Sequence, residues 1–262
     1  MSGRERAVER CGEGHTGGTI ARSLFTVGCA ASVEGVASRA ADPAEEGSRE
    51  DADRPRLRGV LHLIAFVVVV PLGVHLAASA HGAVARGAAI AFAASVAAMF
   101  GVSSLFHRIA WEPQVKRWLG RLDHAMIYAL IAGTYAPVGL LVLHPGWRAP
   151  VLATVWGGAL AAAVAKFAWS DAPVWVAPAT GVALGWCCLA ALPQVFAGIG
   201  MAGALLLLAG GVAYTAGAIV YVRRRPNPIS RVFGYHEVFH ALVIVGVACQ
   251  YSTIAFFVLP RA

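Results

Sequence analysis

Two histidines lie four residues apart in the segment YHEVFHALVIVG, at His236 and His240. On an α-helix this spacing puts both imidazoles on one face, about 6 Å apart along the axis, where they can bind one metal ion. The segment SSLFHR carries Ser103 and His107 at the same spacing. A third imidazole from His107 would complete three protein ligands and leave one position for water, as in a catalytic zinc site.

Two further polar side chains are candidates for this site. Asp123, in the segment RLDHAMIYALIAGTYAP, could orient a ligand, hold the water or act as a general base. Ser103 could donate a hydrogen bond to the water or to a substrate oxygen, although a serine in a transmembrane helix also commonly bonds its own backbone. His124 points about 100° away from Asp123 on a helix and is left out of the site. His62 and Lys166 are interpreted as interfacial residues.

The HEVFH segment also fits the H-E-x-x-H pattern of zinc metalloproteases, in which the glutamate is the general base. Intramembrane metalloproteases carry this pattern within an apolar helix. However, they place it early in the chain and their aspartate late, whereas here Asp123 precedes His236. The LDH triplet also lacks the glycine of their L-D-G element. An intramembrane metalloprotease is therefore kept only as an alternative.

Composition shows which elements must position these side chains. Of the 262 residues, 58% are hydrophobic and only 13% are charged, whereas a soluble domain has about a quarter charged residues. The apolar runs are long enough to cross a hydrocarbon core of about 30 Å, which takes ~20 helical residues. The pattern predicts an all-α membrane protein, a seven-transmembrane helix bundle. The seven predicted helices cover residues 59–80, 85–106, 123–143, 148–168, 174–193, 199–222 and 235–259.

Basic residues beside the helix ends predict the orientation, because Lys and Arg concentrate in cytoplasmic loops. One side of the bundle carries nearly all of them: Arg54, Arg56, Arg58, Arg108, Lys116, Arg117, Arg121, Arg223, Arg224, Arg225 and Arg231. The N-terminus is therefore predicted to be cytoplasmic and the C-terminus outside, although the connection after the fourth span offers only Asp171. His107, Asp123 and His236 then share one depth at the cytoplasmic boundary.

The first 57 residues differ from the rest of the chain. They mix arginine with aspartate and glutamate, which predicts a disordered polar tail over 1–57 before the seven-helix domain of 58–262. The formal net charge of +7 comes without a nucleic-acid recognition motif, so we expect membrane lipids as partners and no nucleic acid. The five cysteines follow no disulfide or metal-binding spacing. The oligomeric state stays open.

Together, the segments SSLFHR, LDHAMIYALIAGTYAP and HEVFHALVIVG resemble the hemolysin III family, the bacterial branch of the progestin and adipoQ receptor superfamily. The resemblance covers about residues 55 to 260 and includes seven spans with an inside N-terminus. It implies zinc bound by His107, His236 and His240, with Ser103 and Asp123 as the other polar members of the site. It also implies a multi-pass protein of the bacterial plasma membrane.

The resemblance leaves three functions open. Kinship of the family with alkaline ceramidases implies hydrolysis of a membrane lipid amide by zinc-activated water. A regulator of membrane lipid homeostasis is the second hypothesis, and the name hemolysin implies a third, a pore-forming cytolysin or channel-like protein. A pore needs a continuous polar path, which the apolar fourth, fifth and sixth predicted spans do not supply. The hydrolase and lipid-homeostasis hypotheses are therefore preferred.

Overall fold

The computed structural model describes residues 55–169, 172–229 and 231–261. These residues form helices and connecting turns. The described residues contain no β-strand, apart from one isolated antiparallel bridge between Ile229 and Phe233. The all-α prediction is therefore confirmed for this part of the chain. The predicted tail of residues 1–57 lies outside it, except for Pro55, Arg56 and Leu57, and its disorder stays a prediction.

Seven α-helices lie in the described ranges. They are α1 (Val60–Ser79), α2 (Ala83–Arg108), α3 (Pro113–Leu141), α4 (Pro145–Ala168), α5 (Val176–Gly185), α6 (Leu192–Arg223) and α7 (Tyr235–Thr253). A 3₁₀ turn, Cys187–Ala191, separates α5 from α6. After α7 the chain continues through a π-helical turn, Ile254–Val258, into a 3₁₀ turn, Leu259–Arg261.

Six helical runs in the described part of the chain are long and apolar enough to cross a membrane. They are Val60–Ser79, Ala83–Arg108, Pro113–Leu141, Pro145–Ala168, Val176–Arg223 and Tyr235–Arg261. The fifth run has 48 residues and contains α5, the 3₁₀ turn and α6. Length and composition alone thus give six candidate spans, where the sequence pattern predicts seven.

The 48-residue run is not one straight helix. Gly200 has φ +75° and ψ 173°, a non-helical conformation in the middle of α6 that glycine adopts readily because it has no Cβ. Trp186 Nε1 donates a hydrogen bond to Thr215 Oγ1 over 2.9 Å, although the two residues lie 29 apart in the sequence. On a straight helix they would be about 43 Å apart. The run therefore folds as a helical hairpin with its turn at Gly200.

The two arms of this hairpin pack against different helices. On the first arm, the hydroxyl of Tyr128 donates to the Ala177 carbonyl over 3.3 Å, and that of Tyr135 donates to the Gly185 carbonyl over 2.8 Å. The first arm therefore runs beside α3 in the same direction. The second arm packs along α7.

Helix α3 begins at Pro113, well before the predicted start at residue 123. Proline is favoured in the first turn of a helix, since the N–H that it lacks has no intrahelical partner there. The first turns of this helix contain the basic residues Lys116, Arg117 and Arg121, which are exposed or half-buried. Asp123 consequently lies about three turns inside α3, instead of at its start.

Two apolar clusters fill the described bundle. The first lies between α1, α2, α3 and α7 and includes the fully buried Phe92 and Phe100. The second lies between α3, α4 and the first arm of the hairpin and includes Val155, Val195 and Ile199. The candidate site residues lie at the end of the first cluster where α2 ends and α7 begins.

Candidate metal centre

The three histidines predicted as metal ligands come together in the structure. His107 lies in the last turn of α2, and His236 and His240 lie in the first two turns of α7. One ring nitrogen of each residue lies within 4.8 Å of the corresponding nitrogens of the other two. The ring centroids of His236 and His240 are 4.5 Å apart. The four-residue spacing on α7 therefore brings both of its imidazoles against one imidazole from α2.

The geometry of these nitrogens fits a zinc ion. Nitrogens bound to one tetrahedral zinc at about 2.0–2.1 Å lie about 3.3 Å from one another. His107 Nε2 and His236 Nε2 are 3.1 Å apart. All three nitrogens lie within 4.8 Å of one another, so small side-chain movements would bring them to the separation that zinc needs. Imidazole is also a donor that zinc prefers. That the three histidines bind zinc stays a prediction.

Asp123 and Ser103 lie beside the three histidines. Asp123 Oδ2 is 3.7 Å from His107 Nε2, and the two side chains are only 16% and 6% exposed. Ser103 is buried one turn before His107 on α2, and its hydroxyl lies next to the Asp123 carboxyl group. The structure therefore brings all five predicted residues into one group, which we call the polar cluster: Ser103, His107, Asp123, His236 and His240.

His62 of α1 also contacts this polar cluster, so its interpretation as an interfacial residue is wrong. The side chain is only 2% exposed, and its Nδ1 lies 2.9 Å from Ser103 Oγ. Its ring stacks on that of His240, with centroids 3.7 Å apart and planes inclined by 12°. One feature of the sequence indicates this role of His62. Arg58 and His62 lie four residues apart, like Ser103 and His107 or His236 and His240, and at the same predicted depth in the membrane.

Glu237, the glutamate of the H-E-x-x-H pattern, is engaged in structural interactions. Its side chain is fully buried, and Oε1 accepts a hydrogen bond from Arg58 Nε over 2.6 Å in an ion pair. Its Oε2 accepts a 2.8 Å hydrogen bond from the backbone N–H of Gly234, the residue that caps α7. Such capping satisfies a backbone donor at the helix start. Because both oxygens have partners, Glu237 is poorly placed to be the base of a metalloprotease.

This ion pair leads to a prediction about stability. Arg58→Ala leaves the buried carboxylate of Glu237 without a charge partner, and breaking a buried pair in this way costs about 3–5 kcal/mol. Glu237→Gln should cost less, since the remaining Arg58 is 20% exposed and reaches water. Thermal unfolding of the detergent-solubilised protein measures both changes. Arg56→Ala, in the same segment but exposed, is the control, and an Arg58→Ala protein as stable as this control would contradict the prediction.

His124 remains outside the polar cluster. Its Nδ1 lies 2.7 Å from the Gly120 carbonyl oxygen, and its Nε2 lies 3.3 Å from the hydroxyl of Tyr221. Both ring nitrogens thus have partners on α3 and α6 instead of among the three histidines. His124 is therefore a suitable control residue for experiments on the ligand set.

The part of the chain that forms this site matches a known protein family. A family model described as "Haemolysin-III related" matches residues 51–251. The chain belongs to the hemolysin III family. Hemolysin-3 of Bacillus cereus is 30% identical to this hemolysin III protein over 219 residues, which cover 82% of this chain and 94% of the relative. The Hemolysin-3 homolog of Bacillus subtilis (strain 168) is 29% identical over 166 residues, covering 63% of this chain and 75% of the relative.

Membership confirms the resemblance inferred from the three sequence segments. Together with the long apolar helices, it shows that this hemolysin III protein is a membrane protein. The matched range, residues 51–251, contains the whole polar cluster as well as His62 and the Arg58–Glu237 ion pair.

Proposed function

We propose that this hemolysin III protein is a zinc-dependent hydrolase that cleaves the amide bond of a membrane lipid. The observation that carries the proposal is the polar cluster, in which three histidines within 4.8 Å of one another lie beside a carboxylate and a hydroxyl. His107, His236 and His240 would hold the ion. A zinc ion bound there would supply a Lewis acid that lowers the pKa of a water molecule and polarises a carbonyl.

Asp123 and Ser103 are positioned to assist the hydrolysis. In the proposed reaction, Asp123 takes up the proton that the attacking water loses and returns it to the nitrogen of the leaving amine as the C–N bond breaks. Ser103 donates a hydrogen bond to the substrate carbonyl oxygen, on which negative charge develops. The products are a fatty acid and a lipid amine, so the reaction would change the lipid composition of the membrane.

A membrane lipid is the substrate class that suits the surroundings of the polar cluster. Large apolar side chains are exposed on the outer surface of the bundle, among them Val74 of α1 and Leu160 of α4, each 67% exposed. Such a surface faces lipid in a membrane protein, so the bundle that carries the polar cluster is surrounded by the acyl chains of the proposed substrate class.

We further propose seven membrane crossings in the bacterial plasma membrane. The turn at Gly200 divides the fifth apolar run into segments 176–199 and 201–223, and each exceeds the ~20 residues that a crossing needs. The basic residues before α1, at the end of α2, in the first turns of α3 and after α6 favour a cytoplasmic N-terminus and an outside C-terminus. The polar cluster would then lie at the cytoplasmic boundary, where water is available.

The name of the Bacillus cereus relative, Hemolysin-3, keeps a pore-forming cytolysin as the second candidate. The described bundle gives this alternative little support, because its interior is filled by two apolar clusters. A conducting pore needs a polar path through such an interior.

One reconstitution experiment tests these functions against each other. Purified protein is placed in liposomes that contain N-acylated lipids and an enclosed dye, with and without a zinc chelator. We expect release of fatty acid that stops when zinc is removed, and no leakage of the dye. Leakage that persists without zinc, and no release of fatty acid, would contradict the hydrolase and favour the pore. Lipidomic comparison of membranes with and without the protein then identifies the substrate.

A further inference from the structure

We propose that His62 is a positioning residue with two separable contacts. Its Nδ1 orients the hydroxyl of Ser103, and its ring fixes the orientation of His240. The first half of this inference rests on the proposed hydrolase function, whereas the second half concerns zinc affinity alone.

The contact with Ser103 determines where the serine proton points. His62 Nδ1 and Ser103 Oγ are 2.9 Å apart, whereas His62 Nε2 is buried without a hydrogen-bond partner among the described residues. A buried N–H without an acceptor is rarer than an acceptor without a donor, so the proton of the neutral ring belongs on Nδ1. Nδ1–H then donates to Ser103 Oγ. The single hydroxyl proton of Ser103 is consequently directed away from His62, toward Asp123 or a substrate oxygen.

The contact with His240 replaces a missing hydrogen bond. In metal sites, a carboxylate or carbonyl normally accepts a hydrogen bond from the second ring nitrogen of a histidine ligand and so fixes the ring. With Nε2 of His240 taken as the metal-binding atom, the second ring nitrogen is Nδ1, which has no hydrogen-bond partner within the described part of the chain. The parallel ring of His62 covers His240 at 3.7 Å, and Phe100 contacts His62 edge-on at 4.9 Å. Among the aromatic contacts of the His240 ring in the described residues, this stack is the closest, so it contributes most to fixing the orientation of the ring.

Two substitutions separate the two contacts. His62→Phe keeps a flat ring against His240 but cannot donate to Ser103. His62→Asn keeps an N–H group near the position of Nδ1 but removes the ring. For each variant, zinc affinity is measured by competition with a chelator, lipid amide hydrolysis is measured at saturating zinc, and the melting temperature reports folding.

The expected results are opposite for the two variants. His62→Phe should retain wild-type zinc affinity and lose about 10- to 100-fold in kcat, the range for loss of an outer-shell partner. His62→Asn should lose about 10- to 100-fold in zinc affinity and keep most of its kcat when zinc is saturating. Adding Ser103→Ala to His62→Phe should produce little further loss, because the two changes remove one interaction.

Parallel losses of zinc affinity and kcat in both variants would indicate a merely structural residue and overturn the proposal, as would two variants that behave like the wild type. If His62→Asn does not fold, His62→Gln also removes the ring and provides the test of stacking. A wild-type protein that binds zinc but hydrolyses no lipid amide overturns the proposed function and the half concerning Ser103. The half concerning His240 is then decided by the zinc affinities alone.

Discussion

The His107→Ala protein is expected to lose zinc at concentrations that saturate the wild type. Its ring supplies one of only three nitrogens in the set, and it is the one ligand that comes from α2 instead of α7. Since loss of an outer-shell partner already weakens metal binding by about 10- to 100-fold, loss of a direct ligand should exceed that range. Zinc affinity is measured by chelator competition, and hydrolysis should fall with zinc occupancy.

The matched control for this experiment is His124→Ala. His124 is also a histidine near the same end of the bundle, but its nitrogens bond to Gly120 and Tyr221. The control should retain zinc and activity. If His124→Ala lost zinc as strongly as His107→Ala, the assignment of ligands would be wrong.

The Asp123→Asn protein is expected to keep its zinc and to lose about 10²- to 10⁴-fold in kcat, the usual contribution of a general acid or base. Asparagine has nearly the same shape as aspartate but cannot take up a proton. Asp123 Oδ2 lies 3.7 Å from His107 Nε2. Its carboxylate is therefore next to the three predicted histidine ligands but is not itself one of them. Zinc content and steady-state hydrolysis of a lipid amide are measured on the same preparation.

Ser103→Ala is the comparison for this prediction. It removes a hydrogen-bond donor but no proton acceptor, so its loss of kcat should be smaller than that of Asp123→Asn. Hydrolysis at the wild-type rate by the Asp123→Asn protein would end the catalytic role of Asp123. Loss of zinc from that protein would instead make Asp123 part of the metal site.

The site residues were predictable where helix period and charge asymmetry agreed. The spacing of His236 and His240 gives a shared helix face, and the distribution of Lys and Arg gives a shared depth with His107 and Asp123. Neither signal indicates which face of a helix packs against its neighbours. The sequence therefore predicts an interfacial His62, whereas α1 directs this side chain inward against Ser103 and His240.

Helix boundaries were less predictable than helix identity. The predicted gap between the fifth and sixth spans, after residue 193, follows Pro193, whereas the turn lies at Gly200. A proline fits in the first turn of a helix, so α6 begins around Pro193 without a break. Gly200 instead adopts φ +75°, which residues with a Cβ rarely adopt. Likewise, the basic residues before Asp123 looked like a loop and form the first turns of α3.

The role of Glu237 depended on a tertiary contact that no sequence spacing contains. The H-E-x-x-H pattern suggests a base, and in the sequence Arg58 indicates only the orientation of the chain. The two residues lie 179 positions apart and form an ion pair at 2.6 Å. The same motif can therefore position a helix in one protein and supply a base in another.

Metal analysis of the purified wild-type protein beside a variant with His107→Ala, His236→Ala and His240→Ala tests the central claim most directly. Both proteins are saturated with zinc, freed of excess metal and analysed for zinc per chain. We predict about one zinc per chain in the wild type, as for a single three-histidine site, and almost none in the triple variant. Equal zinc content in the two proteins would contradict the assignment of these histidines as ligands.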